Sequence, residues 1–154
     1  MKDKKQLVVS AIKDGTVIDH IPANDLFKVI SILGLDHIDN YITFGTNLES
    51  KKLGKKAIIK ISYVFFRNED INKIALVAPD AKLNVIKDYK VVEKKVVEVP
   101  DEIIGIARCV NPMCITNKEN VTTKFQVVNK KTVSLECHYC EKITDKANLV
   151  IIKG

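Results

Sequence analysis

The chain has 154 residues, of which 46% are hydrophobic and 29% are charged, and its formal net charge is +6. This composition excludes an intrinsically disordered chain and fits one ordinary domain or two small ones. Residues 1–100 hold 17 basic and 13 acidic side chains, and residues 101–154 hold 8 and 6, so the positive excess is dispersed. An anionic ligand or partner fits this balance, although a solvated surface is the favoured explanation by count alone.

The N-terminal stretch MKDKKQLVVS has an apolar run of only three residues. No signal peptide is predicted from such a start, and no apolar run approaches the length needed to span a membrane. We therefore expect a cytoplasmic protein with no membrane partner. In a reducing compartment, cysteines are more often metal ligands than disulfide partners.

The first hundred residues alternate strands with two amphipathic helices. We predict helices after Pro22, capped by Asn24 and ended by Gly34, and from Asn68 to Pro79. Apolar patterning predicts strands over residues 6–12, 16–21, 41–48, 57–66, 82–89 and 91–99. This order is the ferredoxin-like doubled βαβ arrangement, an α+β fold with the last strand extending or pairing the sheet. Its antiparallel sheet is covered by helices on one face, so the other face meets solvent, a ligand or a partner.

A hinge is predicted at Val99-Pro100-Asp101, which divides the chain into residues 1–100 and 101–154. The second part contains all four cysteines and four predicted short strands, over residues 103–108, 123–128, 132–136 and 149–152. A segment this short rarely builds a self-sufficient core. We therefore expect a small all-β domain that a metal ion holds together, similar to a zinc ribbon.

The four cysteines follow the spacing Cys109-x4-Cys114-x22-Cys137-x2-Cys140. Two close pairs separated by a β-rich spacer are typical of a structural zinc site. Four thiolates close the coordination shell and leave no position for an activated water, so one structural zinc ion per chain is expected. Two disulfides or free core cysteines are the less favoured alternatives. His138, inside the second pair, is interpreted as a surface residue.

The stretch GTVIDHIPA places Asp19 beside His20, which raises the question of catalysis. In an extended segment these side chains point to opposite sides, and no Ser or Cys nucleophile is nearby. Lys60 lies among apolar neighbours and is interpreted first as an exposed strand lysine, or as an ion-pair partner of Asp19. The glycines are isolated and form no phosphate loop. We therefore favour a polar site that binds an anion over a catalytic site.

Four stretches together carry a resemblance to a known family: AIKDGTVIDHIPA, NLESKKLGKKAIIKI, IALVAPDAKLNVIKDYKVVEK, and the cysteine frame that ends in CHYCEK. Over essentially its whole length the chain resembles the regulatory chain of aspartate carbamoyltransferase, an enzyme of pyrimidine biosynthesis. The resemblance implies a non-catalytic subunit whose N-terminal allosteric domain binds nucleoside triphosphates, with CTP typically inhibiting and ATP typically activating. It also implies that the zinc domain docks on the catalytic chain, and that regulatory homodimers bridge catalytic trimers.

The resemblance further implies the position of each contact to the nucleotide. The base is expected near backbone groups, the ribose beside Asp19 and Lys60, and the phosphates beside His20 and Lys94. Asn84 is expected nearby and Lys56 at the periphery. The residues expected near the base are Ala11, Ile12, Ile86, Tyr89 and Val91.

Some positions differ from the family pattern. The family's basic residue two positions after Lys94 is Val96 here, so phosphate affinity or nucleotide discrimination is expected to differ. Asn111, Tyr139 and Glu141 match family contacts to the catalytic chain. Met113 replaces an asparagine and His138 replaces a lysine at that interface.

Two other functions are compatible with parts of the sequence. The net charge and the four-cysteine frame permit a zinc-ribbon nucleic-acid-binding protein, but Arg67 and Arg108 are the only arginines, and no basic stripe with interleaved aromatics exists. A stand-alone nucleotide-using enzyme lacks a nucleophile with its base and a metal with an open position. We therefore expect no nucleic-acid partner and no catalytic residues.

Overall fold

The structure is a computed structural model that describes residues 11–152, and it contains two antiparallel sheets. The larger sheet has five strands in the spatial order β2-β3-β1-β4-β5. Its strands are β1 (Gly15–Pro22), β2 (Ile42–Ser50), β3 (Gly54–Ser62), β4 (Lys82–Lys87) and β5 (Lys90–Val96). Helix α1 (Leu26–Ile32) follows β1, and helix α2 (Asn68–Asn72) follows β3. This order confirms the ferredoxin-like arrangement, with β5 as an added edge strand.

One face of the larger sheet packs against the two helices. Ile18, Ile59 and Ile61 are fully buried on that face, together with Leu26 of α1 and Ile71 of α2. Alternation along the strands leaves the other face without a helical cover. The burial of these large aliphatic side chains is the main contribution to the stability of this part of the chain.

The helices start and end differently from the sequence-based expectation. Asn24 is exposed and does not cap α1, because a 3-10 turn over Ala23–Asp25 precedes the helix, and its N-cap residue makes no side-chain hydrogen bond. Gly34 ends α1 in the left-handed conformation with φ of 66°, as predicted. Asn68 is the first residue of α2 and not its cap, and α2 gives way to a 3-10 turn over Lys73–Leu76.

The smaller sheet has the order β6-β7-β8-β9. Its strands are β6 (Glu102–Ile104), β7 (Lys124–Asn129), β8 (Ser134–Cys137) and β9 (Ile143–Thr144), and a one-turn helix, α3 (Ile115–Lys118), precedes β7. Phe125, Ile103 and Leu135 are its large fully buried side chains. Helix α3 and strand β9 were not predicted. The predicted strand over 149–152 is reduced to a single bridge between Ala107 and Ile151.

The strand predicted over residues 6–12 lies largely outside the described residues, and Ala11 and Ile12 have no regular secondary structure. Within residues 11–152, no helix is long and apolar enough to cross a membrane.

Candidate functional site

The pairing register aligns a row of polar residues across the larger sheet. Lys60 of β3 lies opposite Thr43 on one side and Val17 on the other, and Val17 lies opposite Asn84. Asn84 in turn lies opposite Lys94 of β5. Directly paired residues of antiparallel strands project to the same face. This row therefore crosses the uncovered face of the sheet and contains three of the residues expected to contact the nucleotide.

A second row lies next to the first on the same face. Asp19 lies opposite Lys82, and Lys82 lies opposite Val96. A third row lies toward the other end of the strands, where Gly15 lies opposite Ile86 and Ile86 lies opposite Val91. Residues that are far apart in the sequence are thus brought together as three parallel rows, which sequence spacing alone did not show.

The end of β1 departs from regular strand geometry at Asp19 and His20. The pairing with β3 shifts register between Ile18 and Ile21, and His20 has a φ of 63°. The His20 backbone N–H donates to Asp19 Oδ1 at 2.6 Å, and His20 Nδ1 lies 3.8 Å from Asp19 Oδ2. The expectation that these side chains point to opposite sides is therefore wrong, because a β-bulge interrupts the alternation.

The bulge leaves His20 half-buried with Nδ1 shielded from solvent. That atom accepts no hydrogen bond and donates none among the described residues. A shielded imidazole nitrogen without a hydrogen-bond partner costs free energy unless a ligand or water contacts it.

Two lysines surround the Asp19 carboxylate. Lys56 Nζ lies 3.0 Å from Asp19 Oδ1 and 3.2 Å from Oδ2, so Lys56 forms an ion pair with Asp19. Lys60 is only 8% exposed, so its interpretation as an exposed strand lysine is wrong. Desolvation lowers the pKa of Lys60 from its usual value, and the nearby Asp19 carboxylate partly offsets that shift by raising it. The sheet thus holds a desolvated cation beside a carboxylate.

The segment before β1 is tied to the β4–β5 turn at the end of the same face. Asp88 and Tyr89 both have positive φ angles, 52° and 66°, as a tight hairpin turn of the primed type requires. The Tyr89 N–H donates to the Lys13 carbonyl at 2.9 Å, and the Asp88 N–H donates to Asp14 Oδ1 at 3.0 Å. These bonds bring the chain around Ile12 beside Tyr89, so the residues expected near the base lie at one end of the sheet.

Gly15 permits the close packing at that end. Its φ is 145°, and a Cβ atom there would lie 2.0 Å from the carbonyl oxygen of Ile61. Ile12 and Ile86 are buried beside it, with exposures of 7% and 8%, whereas Ala11, Tyr89 and Val91 are exposed. This end of the face is therefore an apolar surface bordered by backbone polar groups.

Two residues of the uncovered face were missed in the sequence analysis, Thr43 and Lys82. Thr43 Oγ1 is shielded from solvent and lacks a hydrogen-bond partner among the described residues. Lys82 shares the face of Asn84 by simple alternation, which the sequence does contain. Its position opposite both Asp19 and Val96 depends on the register of three strands, which the sequence does not reveal.

The four cysteine sulfurs form a second, compact site in the smaller sheet. All four Sγ atoms lie within 4.8 Å of one another, with Cys109 Sγ 3.5 Å from Cys140 Sγ and Cys114 Sγ 3.7 Å from Cys137 Sγ. A disulfide requires about 2.05 Å, so the cysteines are free thiols. Four sulfurs at tetrahedral zinc bonds of about 2.3 Å are separated by about 3.8 Å, which these distances match.

Local hydrogen bonds orient the sulfurs and the turns that carry them. The Thr116 hydroxyl donates to Cys114 Sγ at 3.2 Å, and the Tyr139 N–H donates to Cys137 Sγ at 3.4 Å. Asn117 Nδ2 donates to the carbonyl groups of Cys109 and Asn111, at 3.0 Å and 2.7 Å. Donors aimed at sulfur stabilise thiolate ligands, as outer contacts around a metal commonly do. His138 is exposed and lies outside the sulfur cluster, as expected.

Electrostatics explain why these sulfurs need a cation. Burial raises the pKa of Cys109 to about 12 and also raises the pKa of Cys137. Burial acts in the same direction on Cys140, but hydrogen bonds from the Lys142 N–H, Asn111 and two cysteines lower its pKa to about 7. Four thiolates in this small volume repel one another and lose hydration, so a divalent ion is required to hold them deprotonated. The donor set and spacing fit one structural zinc ion.

The turns around the cysteines also expose the residues expected at a partner interface. Tyr139 and Glu141 are exposed, and Asn111 is half-buried with its Oδ1 accepting from the Met113 N–H at 3.0 Å. Apolar side chains within two residues of them in the sequence are exposed as well: Val110, Met113 and Ile143, together with Ile115 after Cys114. Apolar groups exposed together on a rigid metal-bound turn are typical of a docking surface.

The fold and the two sites define a class of protein: a ferredoxin-like sheet with one uncovered polar face, joined to a small β unit that zinc stabilises. Within the described residues, the acid–imidazole pair at Asp19 and His20 has no nucleophile beside it, and the metal site has a closed shell. Binding and transmission fit such an arrangement better than catalysis.

Comparison with known proteins identifies the family. The family model described as aspartate carbamoyltransferase regulatory chain, allosteric domain, matches residues 7–98, and the model described as its metal binding domain matches residues 101–150. The chain belongs to the aspartate carbamoyltransferase regulatory chain family. It is a regulatory chain and not a catalytic one, which implies association with catalytic chains, and a nucleic-acid-binding zinc ribbon is not favoured.

Individual members of this family are similar to the chain over almost its full length. The chain is 54% identical over 151 residues to the aspartate carbamoyltransferase regulatory chain of Bacteroides fragilis, covering 98% of this chain and 99% of that protein. It is 54% identical over 147 residues to the protein of the same name from Pyrococcus abyssi, covering 94% and 97%.

Proposed function

We propose that the chain binds nucleoside triphosphate effectors, CTP and ATP, on the uncovered face of its larger sheet and transmits their effect to catalytic chains of aspartate carbamoyltransferase. In this proposal residues 1–100 form the allosteric domain, and residues 101–154 form the zinc domain that docks on the catalytic chain. Two regulatory chains form a homodimer, and such dimers bridge catalytic trimers. The assembly works in the cytoplasm, where a reducing environment keeps the zinc thiolates free of disulfides.

The shared face of the polar rows is the observation that carries the nucleotide proposal. Asp19 and Lys60 contact the ribose, His20 and Lys94 contact the phosphates, and Asn84 lies between the two groups. Lys56 orients the Asp19 carboxylate through the ion pair described above. The base packs at the end of the sheet where backbone groups can read it, beside Ala11, Ile12, Ile86, Tyr89 and Val91.

The physical support comes from two groups on this face that an oxygen-rich anionic ligand would stabilise further. His20 Nδ1 is shielded and lacks a hydrogen-bond partner among residues 11–152, and Lys60 carries a desolvated charge. A nucleotide provides hydroxyl and phosphate oxygens for such groups, and it does so in a site whose side chains the sheet already holds in position.

A groove that lies between the two parts of the chain supports transmission. The backbone passes from the bulge at His20 through a short 3-10 turn into α1. Phe27, Lys28 and Ser31 of α1 line an apolar groove with residues 149–151. Ile151 forms a bridge with Ala107, two residues before the zinc ligand Cys109. A displacement of the bulge on nucleotide binding therefore has a short route to the zinc site, along the chain into α1 and across this groove.

The surface around the zinc turns is the proposed contact with the catalytic chain. Asn111, Tyr139 and Glu141 supply polar contacts, and the exposed apolar side chains around them supply the buried centre. His138 packs edge-on against Tyr139, with ring centroids 4.9 Å apart. Where the family has a lysine, this chain therefore has an aromatic contact with Tyr139.

Calorimetric titration of CTP and of cytidine into the full chain tests the nucleotide proposal. Because Lys94 is assigned to the phosphates, Lys94→Ala should weaken CTP binding by about tenfold or more and leave cytidine binding nearly unchanged. Lys51→Ala, which removes an exposed lysine at the β2–β3 turn, is the matched charge control. Equal losses for CTP and cytidine in Lys94→Ala would contradict the assignment.

A further inference from the structure

The second row of the uncovered face contains a lysine to which no role has been assigned. Lys82 is exposed at the start of β4, directly opposite Asp19 on one side and Val96 on the other. Its side chain therefore projects from the same face as Asn84 and Lys94. Lys82 therefore lies at the end of the face that is near the His20 bulge, far from the apolar surface at Gly15 and Ile86.

Lys82 and Lys94 are close neighbours on that face. Lys94 lies opposite Asn84, two residues along β4 from Lys82, so the two lysines are diagonal neighbours. Diagonal positions are about 7–8 Å apart in an antiparallel pair, which long side chains can span to meet at one ligand. A polyphosphate is of the right size and charge to contact both ammonium groups.

Neither ammonium group is neutralised within the described residues. The ion pairs of residues 11–152 include Lys56 with Asp19 and Lys95 with Glu93, but none for Lys82 or Lys94. Asp19 lies opposite Lys82 in the sheet, yet its carboxylate is occupied by Lys56 and by the His20 N–H. Two unneutralised cations side by side repel each other, and an anion bound between them relieves that repulsion.

We propose that Lys82 is a phosphate-binding residue of the effector site and supplies the cation that is absent at Val96. Lys82 and Val96 face each other across β4 and β5, so a lysine at 82 presents its charge to the same part of the face that a basic residue at 96 would occupy. The ligand class is the polyphosphate of a nucleoside triphosphate. This inference rests on the proposed nucleotide site and adds a residue that determines preference for triphosphates over monophosphates.

Titrating CTP, CMP and cytidine into the full-length chain tests the assignment. Lys82→Ala should weaken CTP binding by about tenfold, CMP binding by much less, and cytidine binding hardly at all. Lys87→Ala is the matched control, because it removes a lysine from the same strand that projects from the opposite face, where its Nζ lies 5.6 Å from the Phe65 ring centroid. That control should leave all three affinities unchanged.

A second, independent test moves the positive charge from position 82 to position 96, directly across the two strands. The double variant Lys82→Ala/Val96→Lys keeps the net charge and returns a cation to the same row, so it should recover most of the lost CTP affinity. Lys82→Arg keeps the positive charge and should therefore keep the preference for CTP over CMP. It provides a folded variant at the same position if the alanine variant does not fold.

The outcomes separate this inference from the proposed function. If the unaltered chain binds CTP and Lys82→Ala binds CTP equally well, the role of Lys82 is overturned while the nucleotide site stands. Equal losses for CTP and cytidine, or no recovery in the double variant, would also overturn it. If the unaltered chain binds no nucleotide, the proposed function itself fails.

Discussion

The two parts of the chain reach a stable fold by different means. The five-stranded sheet buries a continuous set of large aliphatic side chains under two helices, including Ile18, Ile59 and Ile61. The four-stranded sheet has Phe125, Ile103 and Leu135 as its large fully buried side chains and places four cysteine sulfurs at its end. One part depends on apolar burial and leaves a whole face of its sheet without a helical cover, whereas the other depends on a metal. We propose that the first binds the effector and that the second docks on the catalytic chain.

The largest expected effect follows from removing a zinc ligand. Cys114→Ser should release zinc and unfold the smaller sheet, because binding of a structural zinc contributes on the order of 10 kcal/mol to folding. The larger sheet should remain folded and keep its nucleotide. Zinc content, thermal unfolding and CTP titration of the full chain check this, with His138→Ala as a control that should retain zinc. Retention of a full zinc equivalent by Cys114→Ser would contradict the tetrahedral site.

The converse variant acts on the larger sheet. Gly15→Ala should destabilise it by about 2 kcal/mol or more, because the added Cβ meets the Ile61 carbonyl and the backbone is held at positive φ. Zinc content should not change. Gly54→Ala is the matched control, since Gly54 also has positive φ, 81°, but open space around its Cβ, and it should cost less. Equal costs for the two variants would show that the contact with Ile61 is unimportant.

A smaller effect concerns Lys60, where stability and ligand binding are expected to oppose each other. Lys60→Met removes a cation that burial disfavours and should raise the free energy of unfolding measured without nucleotide, while it weakens the binding of CTP and of cytidine by about tenfold. Lys55→Met, on the exposed part of the same strand, serves as the control. A loss of stability in Lys60→Met with unchanged nucleotide affinity would contradict the assignment.

The same lysine predicts a pH dependence of stability. Because burial lowers the folded-state pKa of Lys60 below its usual 10.5, the unfolded chain binds more protons between those two values. The free energy of unfolding contributed by Lys60 should therefore rise as the pH increases through that window. Denaturant unfolding at several alkaline pH values should show this rise in the unaltered chain and a smaller one in Lys60→Met.

The sequence predicted those features that depend on local pattern. The doubled βαβ order, the stop at Gly34 and the cysteine frame all follow from periodicity, glycine conformation and ligand spacing. The bulge at His20 and the burial of Lys60 could not be predicted, because they depend on how three strands pair. Strand β9 was missed because a strand of two residues is too short to show an alternating pattern. The bridge at Ile151 was predicted as a longer strand because the apolar residues around it reflect side-chain packing and not strand pairing.

The central claim is that a nucleotide on the larger sheet controls catalytic chains through the zinc-stabilised part. The most direct measurement is the carbamoyl-transfer activity of catalytic chains assembled with this chain, with and without CTP, compared with the same assembly made with Lys94→Ala. The account predicts no activity from the isolated chain, a CTP-dependent change in the assembly, and a shift of that change to about tenfold higher CTP in the variant. An assembly that forms and binds CTP, yet has the same activity with and without saturating nucleotide, would contradict it.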